Sequence, residues 1–255
     1  MKKALITLAI LFTISLSAFS QFTPASYMVD GFSLPYKVMF PTDYDESKAY
    51  PLVVLLHGAG ERGLDNEAQL VHGKNFLIDN FQTENPAIVI VPQCPINNYW
   101  SNVERHQIGD KMTMRFGITD KPTAAMATLV SLIQNWTSSG KVDTKRVYVG
   151  GLSMGSMGTY ELLWRMPQTF TAAFSICGGA SLEKLYLFAK NTPVWIFHGE
   201  ADSVVSVEHS RAIYKQLQDL GGEVKYTEYS GVNHNSWDNA FAEPELVPWL
   251  FSHSK

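Results

Sequence analysis

Apolar residues in this chain come in short blocks divided by polar stretches. Leu52 to Leu56 and Ala87 to Val91 contain no polar side chain, the pattern of strands covered on both faces. Tyr27 to Val29 and Tyr36 to Phe40, on either side of Asp30-Gly31, predict an opening hairpin. Val147 to Val149, Ala172 to Ile176, Val194 to Phe197 and Val224 to Tyr229 predict the later strands. Helical spacing falls between them. From Thr123 to Trp136, Met126, Leu129, Val130 and Ile133 form one stripe, entered through Asp120 and Pro122 and ended by Ser138-Ser139-Gly140. Ser210 to Leu220 ends at Gly221-Gly222, Met157 to Trp164 is free of proline until Pro167, and Glu245 to Ser252 closes the chain. Alternating strands and helices predict an α/β architecture, a mostly parallel sheet of about eight strands flanked by helices. Between the strand ending near Cys177 and the one starting at Pro193 there is room for about one helix, which predicts a minimal lid and an open site.

Composition narrows this picture. Met1-Lys2-Lys3, the apolar run Ala4 to Leu16 and the small residues of Ala18-Phe19-Ser20 read as a cleaved secretory signal over residues 1–20. The mature chain then starts near Gln21, keeps no stable membrane anchor, and is secreted or periplasmic. Residues 21–255 suit one catalytic domain, with no internal repeat or low-complexity linker. A net charge of −4 with 17% charged residues and no basic stripe argues against nucleic acid or anionic membranes as partners. Export permits a disulfide between Cys94 and Cys177, yet a domain of this size needs none, and two buried free thiols are expected. Neither has metal-site spacing, so no metal is expected.

The candidate chemistry starts at Gly151-Leu152-Ser153-Met154-Gly155, which follows the strand-like Arg146 to Val149 and precedes helix-compatible residues. A serine on such a strand-to-helix turn projects from the sheet, and glycines two before and two after it remove clashing Cβ atoms. The bare pattern arises by chance in about one chain in ten of this length, so its surroundings decide. His57-Gly58-Ala59-Gly60 follows the strand Leu52 to Leu56 and can aim backbone N–H groups at an oxyanion. Ala59 and Met154 are the assigned donors, with Gly60 a weaker third. Gly199-Glu200-Ala201-Asp202 follows the strand Pro193 to Phe197. Asp202 is favoured to orient an imidazole, and Glu200 competes with it. His234, in Asn233-His234-Asn235-Ser236-Trp237, is the expected general base. Among its rivals, His57 belongs to the oxyanion turn, His198 precedes Asp202, and His209 starts a predicted helix on a solvated face. The order Ser153, Asp202, His234 is that of an α/β-hydrolase.

On these residues, and on Val91-Pro92-Gln93-Cys94-Pro95 and Ile176-Cys177-Gly178-Gly179, the chain resembles α/β-hydrolases of the secreted esterase group. That group includes feruloyl and acetylxylan esterases, polyhydroxybutyrate-depolymerase-like proteins and phospholipase/carboxylesterase-like predicted peptidases. The resemblance covers nearly all of the mature chain and departs at Ser156, where relatives usually carry a second glycine. It implies a serine carboxylic-ester hydrolase without cofactor, acting on carbohydrate-linked feruloyl or acetyl esters or other small acyl esters. A peptidase, a lipase or thioesterase, and a non-catalytic carbohydrate-binding homologue are the rivals. Trp100, on a loop after a strand, is a candidate substrate-stacking wall, with loop pinning an equal alternative. Trp237 is expected to buttress His234, and Glu61-Arg62 to form a salt bridge within the oxyanion turn. The sequence leaves oligomeric state open.

Overall fold

A computed structural model describes residues 21–108 and 111–255. The predicted secretory signal lies outside them. Strands β1 (Thr23–Val29) and β2 (Phe32–Met39) form the expected opening hairpin. Asp30 and Gly31 both take positive φ there, 49° and 80°, as a two-residue turn between twisted strands requires. Then follow β3 (Tyr50–Leu56), α1 (Lys74–Phe81), β4 (Ile88–Pro92), β5 (Val103–Ile108), β6 (Lys111–Phe116) and α2 (Ala124–Thr137). The second half holds β7 (Val142–Leu152), α3 (Met154–Arg165), β8 (Ala172–Ile176), β9 (Val194–Gly199), α4 (Glu208–Asp219), β10 (Val224–Tyr229), α5 (Trp237–Phe241) and α6 (Leu246–Phe251).

Eight of these strands make one sheet in the order β1-β2-β4-β3-β7-β8-β9-β10. Strands β1 and β2 are antiparallel to their neighbours, and the remaining six run parallel. Strand β3 shows why its sequence is wholly apolar. Leu52, Val54 and Leu56 face the helices α2, α3 and α4, while Val53 and Leu55 face α1 and α6. Helix α2 lays Met126, Leu129 and Ile133 on the sheet, and the Thr123 hydroxyl caps it by accepting the Met126 N–H at 3.1 Å. A mainly parallel eight-stranded sheet with helices on both faces, in this strand order, is the α/β-hydrolase fold. Among the described residues, no helix is long and apolar enough to cross a membrane.

Two elements go beyond the sequence reading. Helix α1 follows Gly73, whose φ of 86° lets the chain turn into it. Among the described residues, strands β5 and β6 pair only with each other, forming a hairpin outside the main sheet between β4 and α2. The region after Cys177 that was expected to hold about one helix carries a short 3-10 helix, Leu182–Leu187.

Candidate active site

Strand β7 runs to Leu152, and α3 begins at Met154, so Ser153 alone makes the turn. Its φ of 52° and ψ of −114° are strained values for a residue with a side chain, a cost of about 1–3 kcal/mol that the surroundings must hold in place. Two backbone bonds do so, Ser153 N–H to Ile176 O at 2.8 Å and Met157 N–H to Ser153 O at 3.2 Å. The flanking glycine is required by space. A Cβ on Gly155 would lie 1.9 Å from Leu56 O, because the first turn of α3 sits directly on the end of β3. Ser156, the departure from the related pattern, is buried with its hydroxyl 2.6 Å from that of Ser175.

Two residues from different strand ends line up on Ser153. The Ser153 hydroxyl lies 3.0 Å from His234 Nε2, to which it can donate. On the other edge of the ring, His234 Nδ1–H donates to Asp202 Oδ2 at 2.7 Å. The loops carrying Asp202 and His234 are laced together by Ala201 N–H to Val232 O and by Ser203 N–H to Asn233 Oδ1, both at 3.0 Å. Glu200, the competing acid, points away and accepts from Ser230 Oγ–H and Gly231 N–H. Trp237 packs edge-on to the His234 ring, with centroids 5.4 Å apart.

The Asp202 side chain has no exposed surface, accepts three hydrogen bonds and lies against a second imidazole. Oδ1 takes the N–H groups of Val204 at 2.8 Å and Val205 at 2.9 Å. Oδ2 takes the His234 Nδ1–H, and the second imidazole, His198, has its Nε2 3.1 Å from the same oxygen. Burial alone would raise the Asp202 carboxyl, but His198 and the bonds from His234, Val205 and Val204 outweigh it and hold the group well below the usual carboxylate range. His198, set aside in sequence because it precedes Asp202, is thus a direct partner of that acid. It is fully buried, with Nδ1 at 2.7 Å from Ser210 Oγ and Nε2–H donating to Val205 O at 2.9 Å. Cys177 Sγ also lies within 4.8 Å of the Asp202 and His234 donor atoms. Burial pushes that thiol up, away from the thiolate a metal would need, and the hydrogen bonds of Asp202 and His234 already account for the other two donors. Cys177 and Cys94 are both free and buried.

Ala59 and Met154 each occupy the first position of a helix, the 3-10 turn Ala59–Glu61 and α3. N–H groups at that position have no partner within the helix and are free to point at an anion. The turn lies against the serine, since a Cβ on Gly58 would sit 3.7 Å from Ser153 Cβ. The turn is tied down by His57, whose Nδ1–H donates to Gly58 O at 2.6 Å and whose Nε2 accepts from Cys94 N–H at 2.9 Å. Only the neutral ring can make both bonds. Burial accordingly lowers its pKa from 6.5 to about 4. The unfolded chain therefore binds a proton between those values that the native state refuses, and stability falls as pH drops through that window. The expected loss is about 3 kcal/mol. Urea midpoints at pH 7 and pH 4.5 check this against His57→Gln, whose amide oxygen can still accept from Cys94 N–H. An equal fall in both proteins would contradict it.

The structure corrects three sequence expectations. Trp100 has no exposed surface; its ring packs edge-on to His57 at 5.5 Å and its Cβ fills the space beside Gly158, so it cannot stack on substrate. Glu61 and Arg62 do not pair. Arg62 donates to the carbonyls of Ala59, Ile96 and Asn98, and Glu61 faces His72 at 3.7 Å. His209 is half-buried rather than solvated, with its ring edge-on to Phe116 at 5.1 Å. Phe116 belongs to β6, whose hairpin with β5 forms the rim of the site. Val103 and Arg105 share one face of that hairpin with their cross-strand partners Phe116 and Met114. Phe116 seats on Gly179, where any Cβ would lie 2.3 Å from the ring. One groove beside the hairpin, about 450 Å³, is lined by Thr113, Met114, Asp202, Ser203, Val204, Ser206 and His209. A second, about 350 Å³, is lined by Arg62, Tyr99, Ser101, Val103 and Arg105. Tyr99, not Trp100, is the aromatic that faces a groove.

Comparison with known proteins agrees with this fold. The family model described as phospholipase/carboxylesterase matches residues 41–244. A thermostable esterase of known structure is 32% identical with a TM-score of 0.76, over 92% of this chain and 64% of that one. A ferulic acid esterase shares the fold at 15% identity, with a TM-score of 0.66 over 90% of this chain and 97% of that one. An uncharacterized secreted protein of Arthroderma benhamiae is 24% identical over 82% of this chain, which spans only 24% of that protein's length.

Proposed function

Because the chain belongs to the phospholipase/carboxylesterase family, we propose that it is a secreted serine esterase with Ser153 as nucleophile, Asp202 and His234 as its partners and residues 21–255 as one catalytic domain. Ser153 Oγ attacks the ester carbonyl carbon while His234 Nε2 takes its proton. The N–H groups of Ala59 and Met154 hold the developing oxyanion, an interaction worth about 3 kcal/mol per donor. Collapse breaks the bond to the alcohol, which leaves with the proton from His234. Water then attacks the acyl-enzyme with the same His234 as base, and the acid departs. Asp202 keeps the proton of His234 on Nδ1, so that Nε2 faces the serine as an acceptor.

The observation that carries this reading is the unbroken hydrogen-bond chain from Ser153 through His234 to Asp202, at 3.0 and 2.7 Å. Open grooves on both sides of the hairpin, together with the secretory leader read in the sequence, suit an acyl group on a large carbohydrate, feruloyl or acetyl. A fluorophosphonate probe is expected to label Ser153 in the folded protein, as read by peptide mass. Turnover is then compared on 4-nitrophenyl acetate, methyl ferulate and an aminoacyl anilide. A preference for the anilide would replace the esterase reading with a peptidase one, and no labelling would favour a binding protein.

A further inference from the structure

Arg146, Arg165 and Arg211 each pair with a carboxylate. Arg62 and Arg105 pair with none among the described residues, although the chain carries a net charge of −4. Both guanidinium groups instead pack on the ring of Tyr99, each with its central carbon 5.7 Å from the centroid. Arg105 donates to the Tyr99 hydroxyl at 2.9 Å, which leaves its other N–H groups free for a further acceptor. Arg62 spends Nε and Nη1 on backbone carbonyls, so its position is fixed and its Nη2 remains. Nearby acids do not neutralise them. Glu104 lies on the opposite face of the hairpin with His106, and Glu161 is held by Arg165. Two like charges held on one ring repel, and an anion between them would relieve that repulsion.

The groove these residues line also touches the proposed chemistry at two points. Arg62 Nε–H donates to the carbonyl of Ala59, the residue whose N–H is assigned to the oxyanion. The Tyr99 hydroxyl reaches Met157 Sδ at 3.9 Å, and Met157 is four residues along the helix, about 6 Å, beyond Ser153. We propose that the Arg62–Tyr99–Arg105 groove binds a carboxylate carried by the ester substrate itself, so that the enzyme prefers anionic esters to neutral ones. The inference rests on the esterase reading and names its substrate class. A guanidinium fork suits a carboxylate better than an ammonium does, because it can donate two parallel N–H groups.

Two pairs of substrates test it and separate the sources of the charge. 4-Nitrophenyl hemisuccinate against 4-nitrophenyl butyrate places the carboxylate on the acyl side. 4-Carboxyphenyl acetate against phenyl acetate places it on the alcohol side. In one pair the anionic ester should show a kcat/KM at least about tenfold higher after correction for intrinsic reactivity, the effect expected of one charge-assisted hydrogen bond. Arg105→Gln should lower that ratio about tenfold and Arg105→Lys by less. Arg115→Gln, on the outer face opposite Glu104, should leave it unchanged. Added salt should raise KM for the anionic ester more than for the neutral one. Turnover of all four esters with no anionic preference would overturn the inference and leave the esterase reading standing. A preference that survives in Arg105→Gln would overturn it as well. Failure to turn over any ester would overturn both.

Discussion

Ser153→Ala is expected to lower kcat on every ester substrate by about a millionfold, the scale on which loss of a serine nucleophile acts in enzymes of this type. The loss has a local cause. Alanine keeps the backbone bonds of the turn, Ser153 N–H to Ile176 O and Met157 N–H to Ser153 O, and removes only the oxygen that faces His234. Stability should change by less than about 1 kcal/mol, the net worth of one hydrogen bond. Steady-state assay together with a urea midpoint separates the two effects. Retention of even one hundredth of the activity in a folded variant would place the nucleophile elsewhere.

Asp202→Asn should cost about 10⁴-fold in kcat, and its reason is specific to this site. The carboxylate is ringed by donors: two backbone N–H groups on Oδ1 and His234 on Oδ2, with His198 Nε2 3.1 Å from Oδ2. An amide has one oxygen, so either orientation turns its NH2 onto an existing donor. With NH2 toward the backbone, Val204 and Val205 lose their acceptor. With NH2 toward the imidazoles, His234 is driven to the tautomer that carries its proton on Nε2, where it can no longer accept from Ser153. A buried donor left unpaired costs about 1–3 kcal/mol, so the variant should also unfold at lower urea. Native-like stability with full turnover would show that the carboxylate does not orient His234. The lowered pKa of Asp202 sets the sign of its pH effect: its contribution is complete above the unfolded value near 4 and is lost only as pH falls through the still lower folded value.

The sheet and its functional turns were legible because burial on both faces leaves a plain mark. Leu52 to Leu56 has no polar position to misplace, and a glycine-flanked serine after such a run has few other uses. The rest was hidden for physical reasons. His198 ends a strand that is apolar on both sides, and only its depth beside Asp202 shows that its imidazole is a hydrogen-bond partner rather than core filling. Tyr99 and Trp100 are adjacent aromatics on one loop, and sequence does not say which ring turns inward. The hairpin of β5 and β6 mixes arginine, methionine and phenylalanine on one face, because that face borders a groove instead of a core. Its alternation at Val103, Arg105, Met114 and Phe116 is the signal that could have revealed it.

Among the described residues, that hairpin shares no hydrogen-bonded edge with the main sheet, while the proposed nucleophile, acid and base stand at the ends of β7, β9 and β10. On the proposed function, Arg105 contributes to recognition from a part of the chain separate from those strand ends. On that reading, substitutions on the inner face of the hairpin should change which esters are preferred while leaving the Ser153–His234–Asp202 hydrogen bonds in place.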